Sequence, residues 1–231
     1  MTNKININCD FYFSKNLLYK IITINNFEFY IKNIYNKIKN DSSIISIAFL
    51  GPKGTYSNLA TLTYIKNFFF NKKKIFNISC NSFDELFSYM ERNIINFAIV
   101  PIENNCSGII SKVNNLFKNS SLKIHFKFKI PIKHCLITFD KSKNINNINH
   151  VFSHNEPFKQ CSTFINKYPL WKKHFCKSTA IAIKKIFQFK VKNFAAIGNK
   201  ETAEFYKLNI IKTHSLSNKL NNKTKFLVLK N

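Results

Sequence analysis

Only 4 glycines occur in 231 residues, and neither a Walker pattern nor a dinucleotide fingerprint can be traced among them, so the common glycine-built phosphate cradles are excluded. Arginine is scarcer still: Arg92 stands alone among 36 basic residues, against 11 acidic ones, for a net charge of +25. Such a charge points first to nucleic acid, because cations that neutralise phosphates release counterions. The lysines, however, are scattered, the tightest runs being Lys72-Lys73-Lys74 and pairs such as Lys172-Lys173. Abundant Lys, Asn, Ile and Phe with little Gly is the usage of A/T-rich codons, so the charge is read as drift in an AT-rich genome, spread over solvated faces. No nucleic-acid partner is expected. The six cysteines (Cys9, Cys80, Cys106, Cys135, Cys161, Cys176) form no Cys-x-x-Cys pair and have no histidine at ligand spacing, which argues against a metal site and for reduced thiols in a cytosol. No stretch approaches the roughly 18 apolar residues of a membrane span. The N-terminus alternates Asn with apolar residues instead of running apolar as a signal peptide does. A soluble, cytoplasmic protein without a membrane partner is expected.

What is present is a large apolar fraction, 45%, with 15% aromatics, enough for one full core or two small lobes. From Ile47 onward short apolar runs alternate with helical patterns, the signature of an α/β fold with a largely parallel sheet. Strands are expected at Ile47 to Leu50, Ile75 to Ser79, Phe97 to Val100, Lys133 to Phe139, His150 to Ser153, Phe194 to Ile197 and Phe226 to Leu229. Helices are expected to start near Ser57, Phe83, Gly108, Pro157, Thr179 and Glu201. Between Lys123 and Phe139 the chain alternates apolar residues around Pro131, and proline cannot donate to a ladder, so a strand leaving one sheet for another is expected there. Two lobes joined by such crossings, near 123–139 and again near 200–215, enclose a cleft. Before Ser43, Leu17, Leu18, Ile21, Ile24, Phe27, Ile31, Ile34, Tyr35 and Ile38 recur near helical spacing and predict one long amphipathic helix.

Four strand-to-helix junctions are rich in small polar residues: Gly51 to Ser57, Pro101 to Gly108, Ser153 to Glu156 and Lys177 to Thr179. Each alone is an ordinary cap and turn. Together they favour a cleft for a small anion, because ligands of α/β sheets gather at the carboxyl ends of strands, where helix N-termini offer free N–H groups. Glu103 and Asn104 follow an apolar strand, where either a polar site or an Asx turn fits. Gln160 and Cys161 read equally well as a solvated amide beside a core thiol. The segment from Asn221 to Leu229 reads as a closing edge strand. The six histidines fall into no triad or zinc pattern.

At these junctions the chain resembles the catalytic domain of prephenate dehydratases, from about Ile47 to Leu229. The stretches are IAFLGPKGTYSNLA, VPIENNCSG, VFSHNEPFKQCSTF, KSTAIA and NKTKFLVL, in the family's order. The resemblance implies a two-lobed fold like that of type II periplasmic binding proteins, with the active site in the interlobe cleft. It also implies a hydro-lyase of phenylalanine biosynthesis that turns prephenate into phenylpyruvate without a cofactor. Carried onto this sequence, it makes Thr224 the group acting on the leaving hydroxyl, with Asn104, Ser153 and Gln160 orienting substrate. Thr55, Ser57, Glu103, Cys161, Ser178, Thr179, Lys225 and Phe226 then line the cleft. The chain departs from the family at Lys225, where arginine is usual, at Asn155, where proline usually follows Ser-His, and at Lys177, where related bifunctional enzymes have an acid. A lysine in place of a bidentate arginine is expected to weaken the grip on substrate. The resemblance further implies a relic of a chorismate mutase helix over residues 1–43, a catalytic domain over 44–231 and a homodimer, and the chain is expected to depart from the family in having no regulatory ACT domain. A two-lobed binder of small anions without chemistry is the alternative.

Overall fold

The computed structural model describes residues 8–14, 17–25, 44–68, 74–213 and 216–231. Its strands fall into two sheets, one per lobe. The first lobe holds β1 (Asn8–Ser14), β2 (Leu17–Asn25), β3 (Ile44–Leu50), β4 (Lys74–Cys80), β5 (Phe97–Asn104), the short β6 (Gly108–Ile109), β7 (Lys123–Pro131) and β13 (Lys223–Lys230). The second holds β8 (Cys135–Thr138), β9 (His150–Ser153), β10 (Lys172–Phe175), β11 (Phe194–Gly198) and β12 (Asn209–Lys212). The helices are α1 (Tyr56–Phe68), α2 (Phe83–Glu91), α3 (Ser111–Lys118), α4 (Asn155–Gln160), α5 (Ser162–Ile165), α6 (Thr179–Phe189) and α7 (Lys200–Phe205).

The sheets run β1-β2-β4-β3-β5-β13-β7 and β10-β9-β11-β8-β12. The first sheet centres on four parallel strands (β2-β4-β3-β5) and the second on three (β10-β9-β11), each run followed by one antiparallel strand that arrives from the other lobe. The sheets are therefore mixed instead of largely parallel, because every passage between lobes inserts a strand of opposite sense. Pro131 closes β7 in the first sheet and Cys135 opens β8 in the second, so the first crossing occupies only 132–134. The return crossing runs from 213 to 222, further along than 200–215. Four apolar clusters cover the two faces of each sheet. In the first lobe Leu227 and Leu229 pack with Leu86 and Val113, whereas Phe226 and Val228 pack with Ala60 and Ile65. Alternation along β13 thus decides which residues reach α1 and the cleft, and which turn away.

The N-terminal expectation needs correction. Residues 17–25, expected in a helix, form β2, which pairs antiparallel with β1 and parallel with β4, Ile21 opposite Ile75. Leu17 to Asn25 carries three isoleucines and a threonine, and β-branched side chains favour a pleated surface when a sheet edge is free to accept them. The rest of that expected helix, 26–43, lies outside the described residues.

One junction ties the lobes together. Gly54, in the loop after β3, has φ +89, and its carbonyl accepts hydrogen bonds from Asn199 Nδ2 at 2.7 Å and Thr202 Oγ1 at 2.8 Å, both at the start of α7 in the second lobe. A Cβ at this glycine would lie 2.7 Å from Thr202 Oγ1. Gly54→Ala therefore meets an unfavourable backbone region and a clash in the same place. It is expected to cost about 1–3 kcal/mol, read as a lower urea midpoint, and an unchanged midpoint would show that the lobes do not depend on this contact.

Candidate active site

The cleft between the sheets encloses a cavity of about 470 Å³. Two helix starts face it: Thr55, Tyr56 and Ser57 at α1, and Lys177, Ser178 and Thr179 at α6. Ser178 caps α6 by accepting from Ile181 N at 3.1 Å, and Thr55 takes the same part at α1 with Asn58 N at 3.2 Å. Both junctions thus lend the cavity the positive end of a helix dipole. The apolar part of the lining comes from Phe83, Pro101, Ile110, Ile132 and Phe226.

Asn104 ends β5 beneath this cavity. Its Oδ1 accepts from Cys106 N at 2.8 Å and Ser107 N at 3.1 Å, which closes an Asx turn, so the turn and the site coincide in one residue. Its Nδ2 donates to Thr224 Oγ1 at 2.9 Å and to Asn222 Oδ1 at 2.8 Å. Thr224 sits opposite Asn104 in the β5–β13 ladder, so the pairing register brings the two together from positions 120 residues apart. Gln160, at the end of α4 in the second lobe, accepts from Asn222 Nδ2 at 2.7 Å and donates to Ser107 Oγ at 2.9 Å, bridging the lobes. His134, on the crossing, places Nε2 3.0 Å from Gln160 Oε1 and Nδ1 3.1 Å from the Tyr56 hydroxyl. Burial holds the His134 ring below its ordinary pKa, partly offset by the Gln160 bond, and burial pushes the Tyr56 phenol well up. Both groups are neutral near neutral pH.

Of the residues singled out in the sequence, Thr55, Ser57, Asn104, Gln160, Ser178, Thr179, Thr224 and Phe226 line the cavity. Ser153 does not. It is fully buried, and its Oγ donates to Ile197 O at 2.8 Å, tying β9 to β11. Cys161 is also buried in the second lobe's core, where burial pushes its thiol up to about 12. Glu103 and Lys225 lie outside the cavity lining and face one another across the β5–β13 ladder; Thr224 and Phe226 take the inward positions on either side of Lys225. Sequence reading gave no individual role to Tyr56 and Ser107, which lie within the polar junctions, or to His134 and Asn222. The signal for His134 and Asn222 was the crossing itself, since a polar side chain on a segment running between lobes is carried under the cleft.

No described helix is long and apolar enough to cross a membrane, and no group of three or more metal-binding side chains occurs among the described residues.

The family model "Prephenate dehydratase" matches residues 47–231. A bifunctional chorismate mutase/prephenate dehydratase of Buchnera aphidicola subsp. Schizaphis graminum is 38% identical over 200 residues, covering 86% of this chain and 51% of that protein. A prephenate dehydratase of Methanocaldococcus jannaschii is 34% identical over 179 residues, 77% of this chain and 62% of its own length. The chain spans about half the length of the bifunctional relatives it matches. Among solved structures, the prephenate dehydratase of Staphylococcus aureus superposes with TM-score 0.67 at 25% identity, covering 80% of this chain and 66% of the other. With the sequence matches and the two-lobed architecture in agreement, the chain belongs to the prephenate dehydratase family.

Proposed function

We propose that the cleft catalyses the decarboxylating dehydration of prephenate to phenylpyruvate, a step of phenylalanine biosynthesis. The observation that carries this reading is the state of Thr224: its oxygen accepts from Asn104 Nδ2, and its own proton has no acceptor among the described residues while it lines the cavity. Such a hydroxyl is poised to donate to an oxygen of the bound molecule. In the proposed reaction the bond from the ring to its carboxylate breaks, carbon dioxide leaves, and the electron pair flows into the ring. The ring aromatises as the bond to the hydroxyl at the opposite carbon breaks. Hydroxide departs, and the charge growing on that oxygen is met by the Thr224 O–H.

The remaining groups, the Glu156 carboxylate apart, suit a dianion that must lose one carboxylate. Helix starts at α1 and α6, with Lys177, favour the side-chain carboxylate that is retained. The apolar wall of Phe226, Ile132 and Pro101 favours loss of the ring carboxylate, since charge is dispersed as carbon dioxide forms and a dry surface penalises the starting anion most. Organic chemistry of this kind needs no cofactor. Cys80, Cys106, Cys135, Cys161 and Cys176 are free, which supports a cytoplasmic setting.

Purified protein should convert prephenate to phenylpyruvate, followed by product absorbance in alkali; binding without turnover would leave a passive two-lobed binder. Thr224→Ala should lower kcat by about 10²–10⁴, with circular dichroism unchanged and Thr224→Ser recovering most of the loss. Near-normal turnover in the alanine variant would remove Thr224 from the chemical step. Because Lys225 lies outside the cavity lining, Lys225→Arg should change kcat/KM by less than about twofold despite the fork that arginine offers. A several-fold gain would show instead that the side chain reaches substrate.

A further inference from the structure

We propose that His134 is a positioning residue for Gln160, an amide on the cavity lining: its Nε2–H is dictated by a relay of side-chain amides that starts at Asn104, the partner of Thr224. The final step, from a held Gln160 to turnover, rests on the function proposed above; the relay itself does not.

The relay begins at groups that cannot change role. Backbone N–H of Cys106 and of Ser107 both point at Asn104 Oδ1, at 2.8 and 3.1 Å, and the Lys223 carbonyl faces Asn104 Nδ2 at 3.2 Å. A main-chain N–H only donates and a carbonyl only accepts, so the Asn104 amide has one orientation. Asn222 must then offer Oδ1 to Asn104 Nδ2, at 2.8 Å, and turn its own Nδ2 to Gln160 Oε1, at 2.7 Å. Gln160 in turn has its oxygen toward His134 Nε2, at 3.0 Å, and its Nε2 toward Ser107 Oγ, at 2.9 Å. An acceptor that close requires a proton on His134 Nε2. In the neutral ring Nδ1 is left bare, 3.1 Å from the Tyr56 hydroxyl, whose one proton is shared between that nitrogen and the exposed Lys133 carbonyl at 2.9 Å.

The opposite tautomer cannot be absorbed. A bare Nε2 would face the lone pairs of Gln160 Oε1. Turning Gln160 over would set its NH₂ against the Asn222 NH₂, and turning Asn222 over would set oxygen and nitrogen wrongly against Asn104, which the two backbone donors hold still. At the far end of the relay, Asn104 Nδ2 also donates to Thr224 Oγ1 at 2.9 Å. The two protons of Nδ2 are shared among Asn222 Oδ1, the Lys223 carbonyl and Thr224 Oγ1, and an amide NH₂ accepts none, so the Thr224 proton is excluded from the Asn104 side and left to the cavity. Loss of the His134 donor would free Gln160 to rotate, and the error would reach its contacts with Asn222 and Ser107, while Asn104 stays held by its backbone partners.

Protein labelled with ¹⁵N in histidine, with the His134 resonances assigned by their absence in His134→Gln, tests the relay without substrate. Near neutral pH the ring should show a protonated Nε2 and a bare Nδ1; an Nδ1–H ring, a mixture or a doubly protonated ring overturns the proposal. The kinetic arm compares variants. Glutamine carries an amide near the Nε2 position and should keep kcat within about threefold, whereas leucine, or asparagine whose amide stops near Nδ1, should lower kcat about tenfold or more with KM little changed. Whichever of the latter two has the wild-type circular dichroism is read, and equal kcat in that variant and in His134→Gln overturns the positioning role. Absence of any turnover in the wild type would sink the proposed reaction while the ring's tautomer still decides the relay.

Discussion

Two backbone N–H groups, of Cys106 and Ser107, hold one side-chain oxygen, Asn104 Oδ1, and the polar interior of the cleft is arranged from that contact. Each bond in such a network contributes only about 0.5–1.5 kcal/mol net, but a buried partner left unpaired costs about 1–3 kcal/mol. The asymmetry matters more than the sum. Asn104, Asn222, Gln160 and His134 are all buried, so every wrong orientation carries that penalty and only one arrangement of amides satisfies the whole set. Order is thus imposed by the cost of error, and it reaches from the first lobe through both crossings into the second.

The same buried chain explains how a protein with a net charge of +25 can present a selective cleft. Lysines on the surface act through a screened medium that extends about 10 Å at moderate salt. Inside the cleft most groups are neutral, namely hydroxyls, amides, an uncharged imidazole and the N–H ends of two helices, and the charged side chains on the lining are Lys177 and Glu156. Lys177 is the one lysine on the cavity lining. The surface charge can therefore drift with codon usage while the site keeps its chemistry. Lys225 fits the same account, since its strand position turns it away from the cavity and toward Glu103.

The buried strands of the two sheets were legible because each is a compact apolar run between polar junctions; His150–Ser153 appears with the expected bounds. The edges were not. β10 reads Lys-Lys-His-Phe and leaves most of its length in water, so it carries no apolar signal; its partner β9 supplies the burial. The N-terminal segment misled in the other direction, because Leu17, Leu18, Ile21 and Ile24 fit a helical stripe as well as a strand, and only the free edge of β4 decides between them. In the site, junction residues were recognisable from composition and scarce glycine. Ser153 and Cys161 were placed in the cleft by their neighbourhood, yet each turns inward to hold the second lobe's own core, a choice of side-chain direction that linear spacing does not record.

The placement of β13 has a consequence for how the molecule comes into being. The second lobe is continuous, built from residues 135–212, and all its strands are available once that stretch has left the ribosome. The first lobe is not. β5 and β7 each pair with β13 and not with one another, so the first sheet has a gap until residues 223–230 arrive to fill it. The strand that fills the gap also brings Thr224, and the segment just before it brings Asn222. A nascent chain can hold a finished second lobe and an open first sheet, but it cannot hold a working cleft. Assembly of the site thereby waits for residues 222–230, and a chain interrupted before them exposes an unpaired sheet edge, the feature by which quality control recognises unfinished proteins.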